Sequence, residues 1–559
     1  MSDAVSAPGR LRRPNEVAHP APADVRAAWR ASGAWSEESL IARLERARRD
    51  RPELEVLVDG GARLTVADLA RRSSVVARGL VARGVRPRDV VAWQIPNWWE
   101  AVVLCWAVWR VGAVASPVTT TSRERELGVV LEQTRAPLMV VPETFRGFDY
   151  PSMIERTRFT GELVVVRGVG DPDPLFATRA VDPADAVALD DSDVDVGVDI
   201  DVDDAAVVLW TSGTTSVPKG VVHTHQALRH EADSIATAHG VSAGEPLLLP
   251  MPVTHVAGLT YGTLLPVTHG VRAVLMDVWE PGRGLALVES ERVGVMISTP
   301  VFMRQMLDHE RFATTDLSTI RLFSLGGAGV APAMVREGAA RFGPSDVGCW
   351  CKRTYGSTEY PTLTTGRAGD DPARDADTDG RLIGAADLRI VDPATGEERA
   401  PGEPGELWAR GPEMFSGYLD GALDDLAFTP GGWFRTGDLA VFDGEYLTIV
   451  DRLKDIIIRG GENISALEVE SLLVTHPAIA EAACVALPDP VMGERVCAYV
   501  IVRPGHEGLT LTDVVAHLRA AGLAPFKLPE RLEVRTELPR TASGKIQKAP
   551  LRAKLTPPT

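Results

Sequence analysis

The run Leu209-Trp210-Thr211-Ser212-Gly213-Thr214-Thr215-Ser216-Val217-Pro218-Lys219-Gly220-Val221-Val222 carries the chain from apolar to polar and back within a few residues. Residues 205–209 are apolar and read as a buried strand. After Trp210 come six hydroxyl or glycine residues, then a lysine and a second apolar pair. This is the chemistry of a phosphate loop. Hydroxyls and unhindered backbone N–H groups can surround polyphosphate oxygens, glycine lets the backbone come close, and lysine brings a mobile charge. The Walker A loop is excluded, because it needs Gly-Lys followed at once by Ser or Thr, and here lysine precedes glycine in Pro218-Lys219-Gly220. An unspecialised Ser/Thr/Gly loop is the competing reading.

Outward from this loop, strand and helix signals alternate. Apolar runs at residues 90–93, 138–141, 247–249, 273–276, 295–298 and 322–325 read as strands. Residues 66–83, 98–111 and 226–238 read as helices, the first capped by Thr65. Residues 54–64 suggest a hairpin around Asp59-Gly60-Gly61. Alternation of this kind predicts an α/β protein with mostly parallel sheets covered on both faces. Beyond Gly380 the texture changes to short strands with Gly/Pro turns, which suits a β-rich subdomain. A boundary falls within or just after Asp451-Arg452-Leu453-Lys454-Asp455, and the remaining residues form a small α+β domain.

Size and composition agree with this division. At 559 residues the chain exceeds what one core supports, so two or more domains are expected. The formal net charge of −17 argues against a nucleic-acid or anionic-membrane surface, so an anionic ligand must meet local positive groups. Five scattered cysteines suit reduced thiols in a cytoplasmic protein, and Cys349-Trp350-Cys351 has the wrong spacing for a zinc pair. Residues 1–30 lack the apolar region of a signal peptide. The most apolar stretch, residues 101–118, is interrupted by Arg110 and reads as a core helix, not a membrane span. The acidic run over residues 182–204 reads as a solvated loop.

Five segments together resemble the adenylate-forming superfamily, which includes acyl-CoA synthetases, adenylation domains of peptide synthetases and beetle luciferases. They are the phosphate loop, Tyr355-Gly356-Ser357-Thr358-Glu359, Trp433-Phe434-Arg435-Thr436-Gly437-Asp438, Asp451-Arg452-Leu453-Lys454-Asp455 with Gly460-Gly461-Glu462-Asn463, and Pro539-Arg540-Thr541-Ala542-Ser543-Gly544-Lys545. The match covers nearly the whole chain in order. The resemblance implies an AMP-binding and acyl-substrate domain over residues 1–451 and a mobile C-terminal catalytic lid over residues 452–559. It implies that a carboxylate is joined to AMP at the expense of ATP, and that CoA then takes the acyl group.

By the same resemblance, Thr211, Ser212, Gly213, Thr214, Thr215 and Lys219 hold the leaving phosphates. Glu359 binds Mg²⁺, Thr358 bonds the α-phosphate, and Tyr355 with Gly327 and Ala328 flanks the adenine. Asp438 takes the ribose hydroxyls, supported by Arg452. Lys545 bridges the acyl carboxylate and the α-phosphate, Lys454 sits at the hinge, and Gly460 and Gly461 line the path of the CoA thiol. His255, in Pro252-Val253-Thr254-His255-Val256-Ala257-Gly258, resembles the gate residue beside the acyl carboxylate. Pocket candidates by position are Val256, Gly258, Leu259, Ser324, Gly326 and Ser357, which are largely small or apolar, so a hydrophobic acid is the simplest substrate. His223 and His225 read as local hydrogen-bonders. Two departures stand out: Ser216 replaces the usual glycine of the loop and Trp210 the usual tyrosine.

The segment Ile456-Ile457-Ile458-Arg459-Gly460-Gly461-Glu462-Asn463-Ile464 looks most like ligases of medium-chain, cyclic or aryl acids. The first reading is therefore a carboxylic acid:CoA ligase, a monomer or homodimer. A second keeps adenylation but changes the acceptor or oxyanion, to a carrier-protein thiol, an amine or nitrite in secondary metabolism. A third, a non-catalytic binding protein, sits badly with intact Lys545, Glu359 and Asp438.

Overall fold

The computed structural model describes residues 11–167, 200–212, 217–344, 348–541 and 544–555. The strands Ala205–Ser212 and Pro218–Thr224 form an antiparallel hairpin in which Thr211 faces Lys219. This hairpin joins one side of a seven-stranded sheet, where Ala205–Ser212 runs parallel to Val114–Pro117, which in turn neighbours Val90–Trp93.

A nine-stranded sheet stands beside it. Its central strands, Trp350–Tyr355, Leu322–Gly326, Val295–Ser298, Pro246–Leu249, Arg272–Leu275 and Glu55–Asp59, are all parallel. Parallel strands buried on both faces must be apolar throughout, and Val295–Ser298 is buried at every position. The expected hairpin over residues 54–64 is the antiparallel pair Glu55–Asp59 and Ala62–Thr65, and Thr65 accepts from Asp68 N to cap the helix Val66–Ala82.

The helix Trp99–Arg110 is buried over its whole length. It lies in the core shared by the two sheets: Trp109 Nε1 donates to Ala206 O on one side and Trp106 Nε1 to Thr263 O on the other. A helix apolar all round needs such a place. Its one guanidinium, Arg110, donates to Ser73 Oγ at 3.0 Å and pairs with Glu45. Among the described residues no helix is long and apolar enough to cross a membrane.

A four-stranded antiparallel sheet follows, built from Asp387–Val391, Gly405–Arg410, Phe434–Phe442 and Leu447–Arg452. The turn Leu453–Asp455 then leads into a separate sheet whose long pair is Ile479–Asp489 and Gly493–Val502, covered by the helices Ala466–Leu473 and Leu511–Ala520. This last unit lies against the first: a Cβ on Gly329 would meet Leu467 Cδ1 at 2.2 Å, and Arg503 pairs with Asp308 at 3.2 Å.

The cysteines are buried and unpaired. Burial pushes the Cys349 thiol up to about 12, so the Cys349-Trp350-Cys351 segment is structural. Of the acidic run, residues 182–199 lie outside the described set, while Asp203 and Asp204 make surface pairs with Arg30 and Arg88.

Candidate active site

A cavity of about 2740 Å³ opens where the parallel strands of the large sheet end. Chain reversals at the carboxyl ends of such strands leave a crevice with free backbone groups, the common ligand position in open α/β sheets. Leu322–Gly326 runs out into Gly327 and Ala328, Trp350–Tyr355 into Gly356, Ser357, Thr358 and Glu359, and Pro246–Leu249 into the loop that carries His255. Thr211 and Lys219 enter from the hairpin, Asp438, Arg452 and Lys454 from the four-stranded sheet and its exit turn, and Lys545 from the C-terminal unit. Seven segments distant in sequence thus share one space.

Asp438, 3 % exposed, is held from two sides: Tyr355 donates its hydroxyl to Oδ2 at 2.6 Å, and Arg452 Nε lies 3.0 Å from Oδ1. Burial and the Asp438 charge raise the Tyr355 hydroxyl well above the ordinary phenol value, so it stays a donor. Asp438 keeps lone pairs for further donors, since each carboxylate oxygen can accept more than one hydrogen bond.

Glu359 accepts from Tyr418 at 2.8 Å through Oε1. Thr358 is fixed through its backbone, because its carbonyl accepts from His223 Nε2 at 2.7 Å. His223 is buried and its basicity falls to about 4, so the ring is neutral and Nε2 carries the hydrogen that a carbonyl requires. His225 differs from the expected local hydrogen-bonder. Its Nδ1 has no partner, and the ring lies edge-on to Trp109 with centroids 6.2 Å apart. A ring fully inside the core is held there by shape.

Lys545 is half-buried, and a Cβ on Gly327 would lie 3.5 Å from its Cε. Desolvation first, then the Arg452 charge, lowers its ammonium to about 8, against the pull of Asp438 and Glu359. His255 sits at the start of the helix Val256–Leu259. Burial, helped by the nearby Lys545 charge, lowers it to about 4 and leaves it neutral at pH 7.

Several expected positions fall elsewhere. Gly213, Thr214, Thr215 and Ser216 lie outside the described residues, as does the side chain of Ser212. Gly258 and Leu259 do not line the cavity: a Cβ on Gly258 would stand 1.8 Å from Pro252 O, and Leu259 is fully buried in the core. The helix that follows His255 presents Val256, Ala257, Thr260 and Tyr261 instead. These four recur at ordinary helical spacing, and the next turn, Thr260–Leu264, is a π-helix. Gly460 and Gly461 form an exposed turn, at φ +61° and +89°, between Ile457–Arg459 and Glu462–Ile464, outside the cavity. Ser324, Gly326 and Ser357 do line it, with Ser324 Oγ 2.6 Å from Thr354 Oγ1. Trp210, where tyrosine is usual, donates Nε1 to Ser116 Oγ at 3.0 Å and thereby ties the hairpin to the neighbouring strand.

The sequence reading missed Tyr418, whose ring lies 5.6 Å from Lys219 Nζ, and the acidic Glu231 with Thr362 in the cavity wall. Tyr418 belongs to a two-residue strand, Gly417–Tyr418, that pairs with Val221 and Val222. So short an element leaves no periodicity to read.

Known proteins resemble this chain over most of its length. Residues 44–419 match the AMP-binding enzyme family and residues 468–545 its C-terminal domain. The chain is 34% identical to the medium-chain fatty-acid–CoA ligase of Escherichia coli (strain K12) over 94% of this chain and 92% of that protein. It is 36% identical to the 2-hydroxy-7-methoxy-5-methyl-1-naphthoate–CoA ligase of Streptomyces carzinostaticus over 96% of each. ATP-bound MatB from Rhodopseudomonas palustris superposes with a TM-score of 0.80 at 27% identity, over 92% of this chain and 98% of that one. On the two matched regions and the full-length similarity, the chain belongs to the AMP-binding enzyme family and is an AMP-forming ligase of the adenylate-forming superfamily.

Proposed function

We propose that this chain is an ATP-dependent carboxylic acid:CoA ligase, with the lysine of its C-terminal domain as the residue on which the first step depends. The observation that carries the reading is the placement of Lys545 beside Gly327, in one cavity with Glu359, Asp438 and Arg452.

In the first step a substrate carboxylate oxygen attacks the α-phosphorus of ATP, the bond to the β-phosphate oxygen breaks, and pyrophosphate leaves. Such a reaction is accelerated by positioning and by neutralising charge. Lys219, Thr211, Ser212, Gly213, Thr214 and Thr215 would receive the β- and γ-phosphates, Tyr355, Gly327 and Ala328 the adenine, and Asp438 with Arg452 the ribose. Thr358 would bond the α-phosphate. Lys545, charged below about pH 8, would sit between that phosphate and the acyl carboxylate, stabilising charge that builds in the transition state. Neutral His255 would stand beside the acyl carboxylate without adding a second charge.

Mg²⁺ fits the donors present. Glu359 offers a single carboxylate already oriented by Tyr418, and Mg²⁺ is commonly held by one or two carboxylates together with substrate phosphates. When bound, the ion supplies charge neutralisation on the leaving pyrophosphate.

In the second step the CoA thiol loses its proton and its sulfur attacks the acyl carbonyl carbon; the bond to AMP breaks and the thioester remains. With Lys545 in the cavity and Gly460 and Gly461 outside it, the arrangement suits the first step alone. Rotation at Lys454 would withdraw the lysine and bring the glycine turn to the thiol path. The buried, unpaired cysteines suit a reducing compartment, and we place the protein in the cytoplasm.

The test is pyrophosphate release with ATP and Mg²⁺ across aliphatic, alicyclic and aromatic acids, with and without CoA. Release that CoA converts into a thioester is expected. Release indifferent to CoA, or seen only with nitrite or a carrier protein, would move the second step to another acceptor.

A further inference from the structure

The wall of the acyl cavity carries a buried acid. Glu231 lies on the helix His225–His239, is 1 % exposed, and lines the cavity. Thr362 donates its hydroxyl to Glu231 Oε1 at 2.8 Å, but Oε2 has no partner. Thr260, 1 % exposed and also in the cavity wall, leaves its hydroxyl unpartnered too.

Tyr261 and Glu413 flank this acid. The Tyr261 hydroxyl lies 3.0 Å from His239 Nε2, and their rings are stacked. Behind Glu231 lies a second buried acid, Glu413, close to His230 Nε2 at 3.5 Å and to Tyr360. Burial first, and then the nearby Glu231, raises the Glu413 carboxyl well above its ordinary range. Burial pushes Glu231 up to about 8, so at neutral pH it is a carboxylic acid able to donate as well as accept. A buried polar atom left unmet is destabilising, and a ligand that meets it recovers that loss.

The position of this acid follows from the helix. His255, beside Lys545, stands at the reacting end, and Tyr261, close to Glu231, lies six residues further along. At 1.5 Å per residue that is a separation of roughly 9 Å along the axis.

We propose that Glu231, with Thr260, is a specificity-determining site that recognises an amino or hydroxyl group at the end of the substrate acid remote from its carboxylate. The proposal rests on the carboxylic acid ligase reading and sharpens its substrate class: a polar-tipped acid in place of a wholly hydrophobic one. A methyl-tipped acid of the same size would leave Glu231 Oε2 and the Thr260 hydroxyl unpaired inside the closed pocket, and sites built to bond a substrate hydroxyl or amine reject such analogues strongly.

The test compares isosteres on the full-length protein with ATP and Mg²⁺. Para-amino-, para-hydroxy- and para-methylbenzoate, their cinnamate homologues, and ω-amino, ω-hydroxy and methyl-ended alkanoates are ranked by kcat/KM for pyrophosphate release. A preference of about ten-fold or more for a donor-bearing acid over its methyl isostere is expected in the wild type, collapsing or reversing in Glu231→Leu. Glu231→Gln should keep a preference for hydroxyl while losing one for a cationic amine, and serves if the leucine variant does not fold. Each ratio is internal to one protein, so partial unfolding cancels. Equal or better turnover of the methyl isosteres, or a ratio unmoved by Glu231→Leu, would overturn the proposal and leave the ligase reading standing. Pyrophosphate release with no acid at all would overturn the ligase reading itself.

Discussion

Tyr418 donates to Glu359 at 2.8 Å, and its ring lies 5.6 Å from Nζ of Lys219. One aromatic residue on a two-residue strand thus touches both the carboxylate assigned to Mg²⁺ and the lysine assigned to the phosphates. Burial and the Glu359 charge raise its hydroxyl, so it remains protonated and donating throughout the working pH range. Tyr418→Phe removes a hydrogen bond to a charged group, worth about 1.5–3 kcal/mol. The expected result is a Mg²⁺ half-saturation concentration raised about ten-fold or more in pyrophosphate-release assays. A smaller change, less than about three-fold, is expected in the rate at saturating Mg²⁺. An unmoved half-saturation would show that Glu359 is oriented without Tyr418.

Lys545 gives a pH prediction with a definite sign. Its ammonium is lowered to about 8, chiefly by desolvation, so the charged form predominates below that value and is lost as pH rises through it. The kcat/KM for adenylation, which reports ionisations of free enzyme, should fall on the alkaline side with a midpoint near 8. Lys545→Ala should cost about a hundred-fold or more, the scale of losing one preorganised charge-stabilising donor. The residual rate should no longer show that alkaline limb. A limb that persists in the alanine variant belongs to another group.

Most strands of the two parallel sheets were legible because they are short apolar runs bounded by Gly, Pro and hydroxyl residues, whereas the return strand Pro218–Thr224 of the hairpin, begun by Pro218-Lys219-Gly220, was read only as the end of a loop. Residues 295–298 form a strand with those bounds. Asp438, Arg452 and Tyr355 were singled out for a different reason, the resemblance of their local segments to a known family, and the structure brings the three together. The cavity positions after His255 were less legible. Which face of the helix after His255 meets the cavity is set by packing, such as the close contact of Gly258 with Pro252, which the sequence pattern does not give. Glu231 lies on an otherwise ordinary helix, and only the tertiary arrangement with Thr362 and Glu413 makes it a buried acid.

Gly258 and Gly461 separate two reasons for glycine. A Cβ on Gly258 would stand 1.8 Å from Pro252 O and 2.7 Å from Val253 N, so backbone must move. Overpacking of that kind costs typically 1–3 kcal/mol and occasionally more. Gly461 has nothing within 4 Å of its Cβ direction, but φ is +89°, where an L-residue pays about 1–2 kcal/mol. Gly258→Ala should therefore lower the Tm of the protein by more than Gly461→Ala and reduce both half-reactions together. Gly461→Ala should leave pyrophosphate release within about two-fold while slowing thioester formation. Equal effects of both variants on the two half-reactions would remove Gly461 from the thiol path.

The turn Leu453–Asp455 is the place where a restricted dihedral should separate the two steps. It links the strand Leu447–Arg452 to Ile457–Arg459, and its far end is pinned by the pair between Asp455 and Arg552. Lys454 lies inside this 3₁₀ turn, and proline fixes φ at about −65°, a value such turns use. Lys454→Pro is therefore compatible with the arrangement that places Lys545 in the cavity and opposes any rearrangement that needs a different dihedral at this residue. In single-turnover experiments the pyrophosphate burst should stay within a few-fold of wild type, while conversion of the adenylate to thioester slows by about a hundred-fold or more. The two phases are read separately by quenching with and without CoA. If both slow equally, residue 454 supports the site without serving as its hinge; if neither slows, the dihedral change lies at another residue of the turn.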